Sequence, residues 1–153
     1  GMMMQRLEPV VKAESPDTMM VYGDTNSTLA AALVASKLGI PLFHVEAGLR
    51  SFDKSMPEEV NRILTDHVST LLFSPSTLDV SHLVNENICE SQIRLVGDVM
   101  FDSALAYLNN ERVKDLEEMF NIMSKNYVLK ARGRRGCIII TAAKQKQRIV
   151  PPK

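Results

Sequence analysis

Short apolar runs alternate with longer helix-like segments along most of this 153-residue chain. Residues 18–22, 41–45, 70–73 and 93–96 form these runs, and each is bounded by turn or capping residues. Continuous apolar runs are typical of strands that are buried on both faces of a parallel sheet. Strands and helices that alternate at this spacing need crossover connections, which place the strands parallel to one another. The sequence therefore predicts an α/β fold, with a Rossmann-like parallel sheet and helices on both faces.

The segments between the apolar runs carry the signals of helix starts and stops. Helices are predicted at 5–14, 28–38, 57–68 and 75–85, with a long amphipathic segment at 99–123 and a candidate last strand at 137–141. Asn26 or Ser27 suits the N-cap of the second helix, and Gly39 suits its end. Pro57 fits the first turn of the third helix.

Composition limits the class of protein. Apolar residues make up 45% of the chain, and no apolar run is long enough to span a membrane. The two cysteines have no metal-ligand spacing, and no secretory leader is visible, so we expect a cytoplasmic protein without a metal or other cofactor.

Charge divides the chain into two parts. Residues 1–129 hold all 18 acids and 10 of the Lys and Arg residues, whereas residues 130–153 hold 8 Lys and Arg and no acid. We therefore expect a globular domain at 1–129 and a basic tail at 130–153. The tail lacks aromatic residues for base stacking, so nucleic-acid binding is not expected.

Polar residues follow the first two predicted strands. Asp24 and Thr25 lie between a strand and a helix N-terminus, and Glu46 ends the next strand. The carboxyl ends of neighbouring parallel strands line one crevice, so Asp24 and Glu46 are predicted to face the same space. The local motif alone favours a role for Asp24 in capping its turn. Arg50 is a candidate to hold a phosphate or to pair with Glu46. Ala47 and Gly48 are expected to leave room for a ligand beside the backbone.

Glu58 and Glu59 open the third helix, where acids also complement the helix dipole. Neighbouring helix positions point about 100° apart, so only one of the two is expected to face a pocket. Arg62 lies one turn away from either acid. His44 is expected to be a hydrogen-bonded core histidine.

Four motifs occur in an order that resembles the non-hydrolysing UDP-N-acetylglucosamine 2-epimerases. They are Gly-Asp-Thr-x-Ser-Thr-Leu-Ala at 23–30, His-Val-Glu-Ala-Gly-Leu-Arg-Ser at 44–51, Met-Pro-Glu-Glu-x-Asn-Arg-x-Leu-Thr-Asp at 56–66 and Gly-Asp-Val-Met-x-Asp at 97–102. The likeness covers about residues 5–130. It implies that the chain is part of one domain of a GT-B fold and that the family's homo-oligomeric assembly is expected.

The resemblance also implies a reaction and its residues. The family interconverts UDP-N-acetylglucosamine and UDP-N-acetylmannosamine by eliminating UDP and adding it back to a 2-acetamidoglucal intermediate, without a metal or nicotinamide. Asp24, Glu46 and Glu58 match its functional acids, and acid–base roles suit a proton that leaves and returns at C2. Substrate contacts are expected from Thr25, Arg50 and Arg62.

Two departures from the family pattern lead to a further expectation. The family's early Gly-Thr-Arg-Pro-Glu loop has no counterpart here, and residues 130–135 replace a Thr-x-His-Arg segment. We therefore expect a truncated chain with little epimerase activity by itself. The alternatives are a non-catalytic module that oligomerises or binds nucleotide sugars, and, less favoured, another GT-B enzyme such as a glycosyltransferase.

Overall fold

The computed structural model describes residues 1–108 and 137–140. Its helices are α1 (Met2–Glu14), α2 (Asn26–Lys37), α3 (Pro57–Val68), α4 (Thr77–Asn85) and α5 (Val99–Leu108). Its strands are β1 (Thr18–Tyr22), β2 (Leu42–Val45), β3 (Leu71–Ser74), β4 (Ile93–Leu95) and β5 (Cys137–Ile140). The predicted α/β fold with a parallel sheet is confirmed, and the buried clusters of the described residues place α1, α2 and α4 on one face of the sheet. The part of the amphipathic segment that follows Leu108 lies outside the described residues.

All five strands form one parallel sheet in the order β4-β3-β2-β1-β5. The first four strands therefore pair in the order in which they follow one another in the chain. The fifth pairs with the free side of β1, with Thr18 opposite Cys137 and Val21 opposite Ile140. The candidate strand at 137–141 is thus confirmed for residues 137–140, whereas the boundary predicted at 129/130 stays a prediction.

The predicted starts and stops of the helices agree closely with the structure. The side chain of Thr25, rather than that of Asn26 or Ser27, caps α2 by accepting a hydrogen bond from the Thr28 N–H at 3.3 Å. Pro57 occupies the first turn of α3, and Ser76 caps α4. Helix α1 begins at Met2, three residues before the start of the predicted helix at 5–14.

One face of the sheet carries the main core. Met19 and Val21 of β1 and Leu42 of β2 pack against α1 and α2 and are at most 1% exposed. Three alanines of α2, at positions 31, 32 and 35, belong to the same cluster, and their small side chains allow this helix to approach the sheet closely. On the opposite face, Phe43 and Phe73 meet edge to face with ring centroids 6.2 Å apart, and both rings are half-buried. Strands β2 and β3 are therefore buried more deeply on the helix-covered side.

Parallel pairing brings the carboxyl ends of β1 to β4 to one edge of the sheet, which we call the carboxyl edge. Three of the four connecting segments at this edge have a residue at positive φ in their first or second position: Gly23 at 64°, Glu46 at 70° and Gly97 at 86°. These turns direct the following side chains across the ends of the strands. Within the described residues, no helix is both long and apolar enough to cross a membrane.

Candidate functional site

Acidic residues follow three of the strands at the carboxyl edge. Asp24 comes after β1, Glu46 directly after β2, and Asp98 after β4. The sequence predicted that Asp24 and Glu46 share a space, and the structure brings them close enough for the Asp24 charge to act on Glu46. Asp98, which was not among the predicted site residues, acts on the same carboxyl group.

Glu46 is held in an uncommon backbone conformation. Its φ of 70° lies in the left-handed region, which a residue with a side chain adopts at a cost of about 1–3 kcal/mol and mostly at functional sites. Its carboxylate lies over Gly23, where an added Cβ would sit 3.3 Å from Glu46 Oε2. A residue larger than glycine at position 23 would therefore press on this carboxylate.

The surroundings of Glu46 favour its neutral form. Burial is the largest cause that raises the pKa of Glu46 above its ordinary value, followed by the negative charges of Asp24 and Asp98. The positive charges of His44 and Arg62 lower the pKa but do not cancel this effect. A carboxyl group whose pKa is raised towards neutrality exchanges protons more readily at physiological pH, as acid–base catalysis requires.

Asp24 is fixed by two residues of α3. The Arg62 Nε–H donates to Asp24 Oδ2 at 2.9 Å, and the Asn61 side-chain amide donates to the Asp24 backbone oxygen at 2.8 Å. The Asp24 side chain is 31% exposed, so one side of the carboxylate remains open to a ligand. Arg62 thus lies at the predicted place, but within the described residues its contacts are to protein carboxylates.

The two adjacent glutamates of α3 separate as expected. Glu58 is exposed and makes no hydrogen bond or ion pair among the described residues. Glu59 is 1% exposed and accepts hydrogen bonds from the backbone N–H groups of Ser51 and Phe52, both at 2.9 Å. Burial alone would raise the pKa of Glu59, but these hydrogen bonds and the charge of Arg62 lower it. Glu59 is therefore the structural acid, and Glu58 is the one available to a ligand.

His44 lies beneath the carboxyl edge and is completely buried, as predicted. Its Nδ1 is 2.6 Å from Asp66 Oδ1, and its Nε2 donates to the Gly23 backbone oxygen at 2.9 Å. The bond to Gly23 holds the turn that carries Asp24, which makes His44 a support for the site.

Arg50 has a different place from either of those predicted. Its side chain is 1% exposed and forms a bidentate salt bridge with Glu86, in which Nε and Nη2 each lie 2.7 Å from a carboxylate oxygen. Its Nη1 is 2.8 Å from Asp66 Oδ2 and from the Leu49 backbone oxygen. Burial by itself lowers the pKa of Arg50, but the bonds and charges of Glu86 and Asp66 raise it above its ordinary value. The expected pairing with Glu46 is wrong, and the proposed contact with substrate stays a prediction that these internal contacts do not favour.

Gly48 was expected to leave room for a ligand, and that expectation is wrong. An added Cβ at this position would lie 2.4 Å from the Asp79 backbone oxygen, at a φ of 89°. The space beside Gly48 is occupied by the first turn of α4. The role of Gly48 is to let the loop after β2 pass close to α4.

Thr25 is placed by its capping role at the start of α2. Besides the bond from the Thr28 backbone, its hydroxyl lies 3.0 Å from the hydroxyls of Ser27 and Thr28. These contacts occupy the side chain without excluding a ligand, so its predicted contact with substrate remains a prediction.

Sequence reasoning missed three charged residues that organise this region, namely Asp66, Glu86 and Asp98. The sequence carried signals for Asp66, which ends the motif at 56–66, and for Asp98, because a Gly-Asp pair follows β4 as another follows β1, but none for Glu86. Asp98 Oδ1 also accepts the Met100 N–H at 2.8 Å at the start of α5. Among the described residues, no group of three or more His, Cys, Asp and Glu side chains could hold a metal ion.

Comparison with known proteins agrees with these features. The sequence model of the UDP-N-acetylglucosamine 2-epimerase family matches residues 1–141. A UDP-N-acetylglucosamine 2-epimerase homolog of Methanococcus maripaludis is 52% identical over 132 residues, which cover 84% of this chain and 36% of the relative. A UDP-2,3-diacetamido-2,3-dideoxy-D-glucuronate 2-epimerase of Pseudomonas aeruginosa is 53% identical over 109 residues, or 70% of this chain and 31% of the relative.

A solved structure extends the likeness to three dimensions. The Methanocaldococcus jannaschii UDP-GlcNAc 2-epimerase, crystallised with UDP-GlcNAc and UDP, superposes with a TM-score of 0.67 at 46% identity. The match covers 78% of this chain and 33% of that protein. The expected fold, one part of a GT-B domain, is confirmed by this likeness. The chain spans about a third of the length of the relatives it matches, and it belongs to the UDP-N-acetylglucosamine 2-epimerase family.

Proposed function

We propose that this chain supplies the acidic part of a nucleotide-sugar 2-epimerase active site, with UDP-N-acetylglucosamine as substrate. The observation that carries the proposal is the pair at the carboxyl edge, in which Asp24 is bound by Arg62 and Glu46 has a raised pKa. Both lie on motifs of the family to which the chain belongs. The structure of the Methanocaldococcus jannaschii relative with UDP-GlcNAc and UDP supports a nucleotide sugar as the ligand.

The proposed reaction needs groups that take up and return one proton. Loss of the proton from C2 and of UDP from C1 gives 2-acetamidoglucal and UDP. Addition of UDP, with a proton delivered to the other face of C2, then gives UDP-N-acetylmannosamine. Asp24, Glu46 and Glu58 are the groups we propose for these proton transfers, because a positioned acid or base contributes about 10²–10⁴-fold to such steps.

Binding by residues 1–153 tests the proposal most directly. We expect titration of UDP-GlcNAc into ¹⁵N-labelled chain to shift the backbone resonances of Gly23, Asp24 and Glu46, with little shift in α1. Glu58→Gln should weaken this binding, whereas Glu14→Gln, which changes an exposed acid of α1, should not. Absence of shifts at the carboxyl edge up to millimolar ligand would overturn the proposal.

Turnover separates an active chain from a binding module. Because the chain spans about a third of its relatives, we expect little or no UDP-N-acetylmannosamine from residues 1–153 alone. Turnover that disappears in Asp24→Asn and Glu46→Gln would show that these acids suffice. Binding without turnover is the expected outcome, and a nucleotide-sugar-binding module would give the same result.

The sugar remains to be tested, because one relative is named for a diacetamido-glucuronate. UDP-2,3-diacetamido-2,3-dideoxy-D-glucuronate should therefore be titrated in parallel, and tighter binding of it would replace UDP-GlcNAc as the proposed substrate. The homo-oligomer and the cytoplasmic location also remain proposals. Light scattering of the purified chain tests the first, and a monodisperse monomer would contradict it.

A further inference from the structure

One buried carboxylate connects the acid after β1 with the loop after β2. We propose that Glu59 is a positioning residue, which holds Asp24 through Arg62 and holds the loop at residues 51–56 through two backbone bonds. The Asp24 carboxylate and this loop are then held in one fixed position relative to each other. The inference rests on the proposed function only in giving Asp24 a part in the reaction.

The contacts of Glu59 are complete and lie on both sides of its carboxylate. Oε1 accepts the Phe52 N–H at 2.9 Å, while Oε2 accepts the Ser51 N–H at 2.9 Å and Arg62 Nη1 at 2.6 Å. With 1% of the residue exposed, water does not compete for these bonds. Hydrogen bonds to a charged group in such a site are each stronger than ordinary ones.

Arg62 transmits the position of Glu59 to Asp24. The guanidinium is planar and rigid, and it is bound at two points, Nη1 on Glu59 and Nε on Asp24 Oδ2 at 2.9 Å. A rigid group bound at two points has one orientation, whereas a group bound only by Asp24 could rotate about that contact. Asn61 fixes the backbone of Asp24 at the same time.

The loop at residues 51–56 depends on the same carboxylate. Phe52 has a φ of 58°, a conformation that residues with side chains rarely adopt and that needs support from its surroundings. The two backbone N–H groups bound by Glu59 are those of Phe52 and the residue before it. The Phe52 ring also meets His82 edge to face at 5.1 Å, which joins the loop to α4. Without Glu59, this strained turn would lose its main hydrogen-bond acceptor.

The simplest alternative is that Glu59 only complements the dipole at the start of α3. The two interpretations predict different hydrogen-exchange rates for a group that Glu59 does not contact, the Nε–H of Arg62. In Glu59→Gln, a positioning role predicts that this Nε–H exchanges with water at least about tenfold faster, although its partner Asp24 is intact. A dipole role predicts no change there.

The experiment is ¹⁵N NMR of the folded, ligand-free chain, with the Arg62 Nε–H signal assigned by its absence in Arg62→Lys. Glu58→Gln is the matched control, since it removes the neighbouring acid of the same helical turn but no bond, and it should leave the signal unchanged. An unchanged exchange rate in folded Glu59→Gln would overturn the proposal. If Glu59→Gln does not fold, Glu59→Asp keeps the charge, shortens the reach by one methylene, and is judged by the same signal.

A double-mutant cycle gives an independent readout. Asp24→Asn and Glu59→Gln each loosen Arg62, so the double variant should lose less stability than the sum of the two single losses. We expect the discrepancy to be about twofold or more in the unfolding equilibrium constant. Direct repulsion between the two carboxylates would instead make the double variant lose more stability than the sum of the single losses. That result, or losses that simply add, would contradict the proposal. Neither readout needs a ligand, so failure to bind a nucleotide sugar would refute the proposed function without affecting this inference.

Discussion

Single residues determine the site through contacts between distant positions of the chain. The positions of Asp24 and Glu46 were predictable, because parallel strands bring their carboxyl ends together whatever the details of packing. The partner of Arg50 was not, since Glu86 lies 36 positions away, just after the end of α4. Sequence rules for charge pairs reach only one helical turn. The choice between Glu86 and Glu46 is made by the path of the loop, which the sequence does not reveal.

Replacement of Glu46 by glutamine is expected to stabilise the chain at neutral pH. The folded protein raises the pKa of this carboxyl, so Glu46 binds its proton more tightly when folded than when unfolded. Its contribution to stability is therefore full below the ordinary value of 4.5 and is lost as the pH rises through the folded pKa. Glutamine keeps the shape and removes the ionisation.

Urea unfolding at pH 7 and at pH 4 checks this expectation. Glu46→Gln should exceed the wild type in unfolding free energy at pH 7, and the difference should shrink at pH 4. Glu14→Gln, in an exposed position, serves as the control for removing one negative charge. If Glu46→Gln is less stable than the wild type at pH 7, the expectation is wrong. The contacts of the Glu46 carboxylate would then stabilise the fold by more than its ionisation destabilises it.

Helices and strands were predicted more reliably than the contacts between them. Capping residues, Pro57 and the apolar runs are local signals, and they located α2, α3 and the first four strands. The contact of the loop after β2 with α4 has no local signal. Gly39 was expected to end α2 and Gly48 to leave room for a ligand, yet of the two only Gly48 lies against another backbone.

Alanine at these two glycines is expected to separate backbone strain from crowding. Both have positive φ, 70° at Gly39 and 89° at Gly48, so alanine costs about 1–2 kcal/mol at either position. At Gly48 the new Cβ would also lie 2.4 Å from the Asp79 backbone oxygen, which adds about 1–3 kcal/mol of overpacking. At Gly39 nothing lies within 4 Å.

The unfolding free energy in urea measures both costs. Gly48→Ala should lose about 2–5 kcal/mol and Gly39→Ala about 1–2 kcal/mol. Gly48→Ala should also shift the amide resonances of the first turn of α4. Equal losses in the two variants would mean that the loop moves away from α4 without cost.

At the scale of the whole molecule, two carboxylates that are paired with arginines, Glu59 and Glu86, contribute to the response to acid. A hydrogen bond from Arg50 is the largest cause that lowers the pKa of Glu86. For Glu59, hydrogen bonds and Arg62 outweigh the effect of burial, and its pKa is also lowered. The stability that these groups contribute is present above the ordinary value of 4.5 and is lost as the pH falls through their folded pKa values.

We therefore expect the unfolding free energy to fall below pH 4.5, with up to about 1.4 kcal/mol per pH unit from each carboxyl group. Glu86→Gln and Glu59→Gln should be less stable at pH 7 and should show a shallower loss below pH 4.5. Thermal or urea unfolding across pH 2.5–7 measures the slope. If the unfolding free energy of both variants falls with pH as steeply as that of the wild type, other groups are responsible for the acid sensitivity.

The order of the strands has a consequence for how the protein is made. Strands β1 to β4 pair with their neighbours in the order of the chain, whereas β5 returns to the free side of β1. A ribosome therefore releases the three acids of the carboxyl edge, together with every strand that carries them, before residues 137–140 have been synthesised. The site can assemble on the nascent chain. In the described sheet, the side of β1 that pairs with β5 lacks this partner until translation reaches residues 137–140, and an unpaired strand edge favours wrong pairing during that interval.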